Sequence, residues 1–265
     1  MIKKKIVDLN EYEKFIKEII VKAGKLTVKY FGKVGVDYTK SGVNDVVTIA
    51  DLKSQKLITD AIQKKFPEHG IIGEENERMQ TNAKYVWYID PIDGSGNYSR
   101  AIPIYGVMIA LAKDNVVIMS AIYMPMTKEL YFAKKNNGAF LNNKRIYCSK
   151  FKKYIDSNGI MGAVWDKNRK NINASIIKNV NNGSVFISTL GSIAVNSCMV
   201  SDGRKDWIIS DHGGVWDYAA PSLILRESGC TVTNSKGMPW TLKDRYMVAA
   251  NPALHKELSK VIRKF

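Results

Sequence analysis

The hydrophobic period of this chain of 265 residues changes after Phe66, and that change limits the folds open to it. Up to Phe66, apolar residues recur at helical spacing. Phe15, Ile16, Ile19, Ile20, Ala23, Leu26, Tyr30 and Phe31 form one stripe that ends at Gly32. Leu57, Ile58, Ala61, Ile62 and Phe66 form a second, closed by Pro67. Asn10 followed by Glu13 has the form of a capping box for the first helix, and Thr48 with Asp51 repeats it for the second. Beyond Pro67, "YVWYID", "YGVMIALA", "VVIMSAIYM" and "ELYFAKK" read as strands joined by turn signals such as "KDN" and "NNG". They predict an antiparallel sheet covered by the two helices.

From about Ser149 the pattern becomes strand and helix in alternation, through "SVFIST", "GSIAVNSCMVSDG", "DWIIS", "WDYAAPSLILRES", "CTVT" and "YMVAA". Asn251 as cap, with Pro252 at the first helical position, opens a last helix. There is no internal repeat, low-complexity tract or flexible linker. Residues 1–148 and 149–265 therefore read as two halves packed into one compact unit, an α/β or α+β chain in stacked layers.

The formal net charge of +15 raises the question of a nucleic-acid partner, because clustered Lys and Arg release counterions from a phosphate backbone. Here the lysines are scattered and alternate with acids, as in "EYEKFIKEIIVKAGK" and "DLKSQKLITDAIQKK", the pattern of solvated helix faces. Nucleic acid is thus not the expected partner, although a positive surface favours encounter with small anions. Charges interrupt "MIKKKIVDLNEYEK" before a secretory core could form, and no stretch is long enough to span a bilayer. Cys148, Cys198 and Cys230 are widely spaced, with no CxxC pairing, which fits a reducing compartment and predicts a cytoplasmic location.

Short acidic clusters fall at the ends of predicted strands and the starts of predicted helices: Asp51, Glu74 with Glu75, Asp90 with Asp93, and Asp217. His69, His212 and His255 are isolated, so no zinc-type ligand set accompanies them. Carboxylates with backbone carbonyls suit hard Mg²⁺ or Mn²⁺. After Asp93, the backbone amides of Gly94, Ser95 and Gly96 can turn together toward an anion if a helical turn starts there. Metal beside phosphate is what metal-assisted phosphate-ester hydrolysis requires. Taken singly, each piece also has an ordinary structural reading. Thr48 and Asp51 can merely cap a helix, Asp217 can complement a helix dipole, and "DPIDGSGN" serves equally well as a turn.

Taken together and in this order, the segments "DVVTIAD", "GEE", "WYIDPIDGSGNY" and "WDYAAPSLILRESG" resemble the inositol monophosphatase family of Mg²⁺-dependent, typically lithium-sensitive phosphomonoesterases. "GAFLNNKRI" and "GSIAVN" add support, and the likeness covers essentially the whole chain. It implies the layered α-β-α-β-α sandwich of the sugar phosphatases. It implies hydrolysis of a small soluble phosphate monoester by a metal-activated water, with two or three Mg²⁺ ions, for which Mn²⁺ can substitute. Homodimers are common in that family. The alternatives within the same chemistry are a 3′(2′),5′-bisphosphate nucleotidase or a fructose-1,6-bisphosphatase. A catalytically weak metal- or nucleic-acid-binding relative is the alternative outside it.

By the resemblance, Glu74 is a metal ligand that touches the nucleophilic water, and Asp90 bridges two ions. Ile92 ligates through its carbonyl, and Asp93 and Asp217 complete the second ion. Ser95 takes the position of the family's threonine and pairs with Asp51 to orient or deprotonate the water. Gly94, Ser95 and Gly96 hold phosphate, and Lys40 matches a lysine on a loop that approaches the site. Pro221 stands where the family has glycine. As a residue of the first helical turn it would place Asp217 at or just before the helix start. Ser210 stands where inositol-cleaving relatives carry a glutamate that reads substrate hydroxyls, which makes it a substrate-recognition position and loosens the inositol label.

Overall fold

The two apolar stripes fold into α1 (Leu9–Tyr30) and α2 (Ile49–Lys65), joined by a short hairpin of β1 (Tyr38–Thr39) and β2 (Val46–Val47). The computed structural model of the chain describes residues 9–40, 46–75, 78–162, 180, 183–211 and 213–262. His212 and part of "KSGVND" lie outside them. The cap expected at Asn10 is not there, since α1 already includes Leu9. Glu13 accepts a bond from Lys17 Nζ at 2.7 Å along the helix. The cap of α2 forms as expected. Thr48 N donates to Asp51 Oδ2 at 2.8 Å, and Ala50 N donates to Thr48 Oγ1 at 3.2 Å.

The strands expected after Pro67 build an eight-stranded sheet. It contains β3 (Gly70–Gly73), β4 (Arg78–Met79), β5 (Tyr85–Asp93), β6 (Gly106–Lys113), β7 (Val116–Met124), β8 (Glu129–Lys134), β9 (Gly138–Leu141) and β10 (Lys144–Arg145). The order is β10-β9-β8-β7-β6-β5-β3-β4, antiparallel except for the parallel pair β3–β5. A one-turn helix, α3 (Ser95–Tyr98), follows β5 directly. A second sheet holds β11 (Asn158–Met161), β12 (Phe186–Ser188), β13 (Trp207–Ser210), β14 (Thr231–Thr233) and β15 (Met247–Ala250), in the order β12-β11-β13-β15-β14. Among the described residues three helices accompany it: α4 (Ile193–Ser201), α5 (Val215–Glu227) and α6 (Pro252–Ile262). As the sequence signals, Asn251 Oδ1 accepts the amides of Ala253 and Leu254 at 3.1 Å each.

Side-chain alternation sorts the core into layers. Ile109, Leu111 and Trp87 point to the α1 and α2 side, where they meet Ile16, Ile20, Ile58 and Ile62. Met108, Ala110 and Tyr88 point the other way, onto α4, α5 and one face of the second sheet through Ile208 and Ala249. Trp207, Ile209 and Val248, on the opposite face, pack against Leu254 and Leu258 of α6. The layers therefore run α-β-α-β-α, in agreement with the expected sandwich, and α5 is the buried middle layer.

Helix α5 departs from expectation. It begins at Val215, so Asp217 is its third residue and Pro221 lies in its interior. Pro221 lacks the N–H that would bond the Asp217 carbonyl, a defect that costs an exposed helix about 3 kcal/mol. Burial of Tyr218, Ala219, Ala220, Leu223 and Ile224 between two sheets supplies the packing that holds the helix across the defect.

Candidate active site

β5 is buried along both faces, and its last turn carries two carboxylates into the interior. Its pairing with β6 slips between Asp90, opposite Met108, and Asp93, opposite Gly106. The extra residue falls at Pro91–Ile92, where a residue without an N–H suits a bulge. Asp217 arrives from the first turn of α5. One oxygen from each of Asp90, Asp93 and Asp217 lies within 4.8 Å of the others. Among the described residues this is the one group of acids, histidines or cysteines so placed.

Each aspartate commits an oxygen to the fold. Ile92 N donates to Asp90 Oδ1 at 3.1 Å. The Ser192 hydroxyl and, at 2.7 Å, the Ala194 amide donate to Asp93 Oδ2, so Asp93 sits on the N-terminus of α4. Gly214 N donates to Asp217 Oδ2 at 2.6 Å. Gly213 makes room for that contact. Its φ is +119°, and a Cβ there would stand 2.6 Å from the Asp217 carboxylate.

Burial, then the neighbouring carboxylates, pushes Asp90 and Asp217 well above the usual carboxylate range. Burial also raises Asp93, to about 6, although the bonds from Ser192, Ala194 and Ile193 hold it down. Glu74, just past β3, is raised by burial as well, against the pull of the Lys40 ammonium. A cation would bring positive charge that all four acids could share.

Lys40 approaches from the end of β1. Its Nζ is 3.0 Å from Glu74 Oε1 and 2.7 Å from Glu75 Oε1. Burial works against the ammonium, but the two glutamates outweigh it and keep its pKa above the ordinary lysine value. Gln55 of α2 grips the backbone of Glu75 from both sides, accepting from its amide at 3.0 Å and donating to its carbonyl at 3.2 Å. The polar inner face of α2 also places Asp51. Thr48 Oγ1 donates to Asp51 Oδ2 at 2.5 Å, and Ser95 Oγ lies 3.1 Å from Asp51 Oδ1 and 2.8 Å from the Ile92 carbonyl. A hydroxyl has one proton, so Ser95 donates to one of these at a time. Burial raises Asp51 to about 7 against the bonds from Thr48, so near neutral pH this carboxyl can itself hold the proton in the Asp51–Ser95 contact.

Gly94, with φ +94°, turns the chain from β5 into α3, leaving Ser95 and Gly96 in its first turn as expected. The structure thus gathers Lys40, Asp51, Glu74, Asp90, Ile92, Asp93, Ser95 and Asp217 around one point. Ser210 sits differently. It is buried at the end of β13, on the face that meets α5, with its hydroxyl 3.3 Å from that of Tyr218. Ser192, the Ala194 amide, Gln55 and Gly213 also shape the site, and residue reading missed them as site members. A serine before an apolar helix signals a cap, but its partner Asp93 is ninety-nine residues away in the chain.

The sequence model of the inositol monophosphatase family matches residues 8–265. The chain belongs to the inositol monophosphatase family. A curated relative, the fructose-1,6-bisphosphatase/inositol-1-monophosphatase of Aquifex aeolicus, is 31% identical over 261 residues, which is 97% of each chain. The extragenic suppressor protein suhB of Bartonella henselae superposes with a TM-score of 0.89 at 26% identity, covering 96% of this chain and 99% of that one. An IMPase/NADP phosphatase crystallised with Mg²⁺ and phosphate is alike in fold. It superposes with a TM-score of 0.83 at 22% identity, covering 96% and 95%. Membership in the inositol monophosphatase family accounts for a layered fold that gathers acids from four separate segments.

Proposed function

We propose that this chain is a Mg²⁺-dependent phosphomonoesterase that hydrolyses a small soluble phosphate, in the manner of an inositol-1-phosphatase. The observation that carries the reading is the trio Asp90, Asp93 and Asp217, two buried and one half-buried, with ligand oxygens within 4.8 Å of one another. Carboxylates that have already paid for burial and mutual repulsion are a donor set suited to a hard divalent cation. Glu74, Asp90, Asp93, Asp217 and the Ile92 carbonyl would hold Mg²⁺, which would neutralise phosphoryl oxygens and lower the pKa of an attacking water. Asp51, when ionised, would orient that water through Ser95 and accept its proton. The amides of Gly94, Ser95 and Gly96 face the phosphate, and Lys40 moves off Glu74 when a cation or substrate arrives.

The substrate class is a polyol or sugar phosphate. Ser210 offers no carboxylate and turns toward Tyr218, so nothing at that position selects inositol over other polyols. The Aquifex relative's name, which joins both activities, supports fructose 1,6-bisphosphate as the second candidate. Among the described residues no helix is long and apolar enough to cross a membrane. A cytoplasmic location, a homodimeric assembly and inhibition by Li⁺ extend the reading. The test is phosphate release from inositol 1-phosphate, fructose 1,6-bisphosphate, adenosine 3′,5′-bisphosphate and histidinol phosphate, each with Mg²⁺ and with EDTA. Mg²⁺-dependent turnover of at least one is expected. Release that is equal in EDTA would overturn the metal role, and release from none would overturn the activity.

A further inference from the structure

Cys148 and Cys230 are far apart in sequence, and the fold brings them together. Cys148 follows β10, in the segment that leads from the large sheet to the small one, and Cys230 lies at the turn between α5 and β14. The Cys148 amide donates to the Ser228 carbonyl at 2.9 Å, and Cys148 Sγ lies 3.6 Å from where a Cβ on Gly229 would stand. This sets the Cys148 sulfur next to residue 230, and Cys148 packs against the buried cluster that contains Cys230, both thiols being free. Cys148 is partly exposed, Cys230 is buried, and Cys198 is fully buried elsewhere, within α4.

We propose that Cys148 and Cys230 are an oxidisable pair, in which Cys148 reacts with hydrogen peroxide and Cys230 resolves the product as a disulfide. The Cys148 thiolate attacks a peroxide oxygen, the O–O bond breaks, and Cys148 becomes a sulfenic acid as the first water leaves. The Cys230 sulfur then attacks the Cys148 sulfur, the S–S bond forms, and the hydroxyl departs as a second water with the Cys230 proton. Two thiols lose two electrons, and the peroxide is reduced to two waters. The order of events follows the environment. The hydrogen bond between the thiols lowers the pKa of Cys148 and raises that of Cys230, and the reactive sulfur is the one that solvent reaches.

The bond would tie the C-terminal end of α5 to the connection between the sheets. Asp217 lies near the other end of this 13-residue helix, about 15 Å from its C-terminal end at 1.5 Å per residue, so the carboxylate cluster is left intact. The disulfide is therefore a stabilising staple rather than an off switch. A bridge that closes so long a loop should raise the melting temperature by about 5 °C or more.

The test treats the purified full chain with a small excess of hydrogen peroxide, alkylates it, and maps peptides without reduction. A Cys148–Cys230 cross-linked peptide is expected, reversible by dithiothreitol, with Cys198 alkylated only after denaturation. In Cys230→Ser, peroxide should leave a sulfenic acid on Cys148 that dimedone traps. The oxidation-dependent rise in melting temperature should vanish in Cys148→Ser. Over-oxidation of Cys148 in the wild-type chain with no cross-linked peptide would overturn the proposal. So would consumption of Cys198 as fast as Cys148, or the absence of a dimedone adduct in Cys230→Ser.

Discussion

Replacing Asp217 by asparagine should make the metal-free protein more stable while abolishing its response to Mg²⁺. In the wild type, Asp217 faces two carboxylates within 4.8 Å. At an effective dielectric near 20, each fully ionised pair at that distance repels by about 3.5 kcal/mol. Removing one charge would then relieve about 7 kcal/mol, but the cluster already sheds most of this by taking up protons, as the raised values of all three acids show. The residual gain is about 1–3 kcal/mol at pH 8. Asparagine keeps an oxygen for the Gly214 amide, so the cap of α5 survives and only its charge, worth about 0.3–1 kcal/mol at a helix N-terminus, is lost. For a chain of this size the gain corresponds to a rise of roughly 2–10 °C in melting temperature in EDTA. Mg²⁺ at a hundred times its dissociation constant should stabilise the wild type by about 2.7 kcal/mol and the variant hardly at all. The assay is thermal melting of both proteins at pH 8, in EDTA and in Mg²⁺. A variant that melts at or below the wild type in EDTA, or an equal Mg²⁺ shift in both, would refute the reasoning.

Three further outcomes follow from the same contacts. Asp51 and Asp93 have folded-state values of about 7 and about 6 against an ordinary 3.8, so between pH 4 and pH 7 the native state holds more protons than the unfolded one. Stability of the metal-free protein should therefore fall as pH rises through that window, by up to about 1.4 kcal/mol per pH unit per group. Urea unfolding in EDTA at pH 4.5, 6 and 8 checks the sign, and a rise with pH would contradict it. Ser95→Ala removes the hydroxyl 3.1 Å from Asp51 and should lower kcat by about 10²–10³ with little change in melting temperature, whereas Ser95→Thr should keep most activity. Lys40→Gln frees Glu74 from a competing ammonium 3.0 Å away, so half-saturation by Mg²⁺ should shift to lower concentration in a fluorescence titration; an unchanged midpoint would show that Lys40 does not compete.

What could be read from the sequence was what is local in it. The Thr48–Asp51 cap and the turn from Asp93 into Ser95 depend on residues a few positions apart, and both form as expected. The period change at Pro67 likewise fixed two helices over a sheet. The start of α1 was misplaced because the cap-like pattern of Asn10 and Glu13 lies inside a helix that already includes Leu9. Pro221 misled because helix propensity describes an exposed helix, while α5 is held between two sheets by its apolar residues. The grip of Ser192 and Ala194 on Asp93, and the meeting of Cys148 with Cys230, depend on tertiary approach that no periodicity encodes.

The claim that the buried carboxylates form a catalytic metal centre is tested most directly by phosphate release in saturating Mg²⁺ from Asp93→Asn and Asp217→Asn, measured beside the wild type on its best substrate. Loss of at least about a thousandfold, or ~4 kcal/mol of transition-state stabilisation, is expected in each while both stay folded. Wild-type rates in both variants would contradict it.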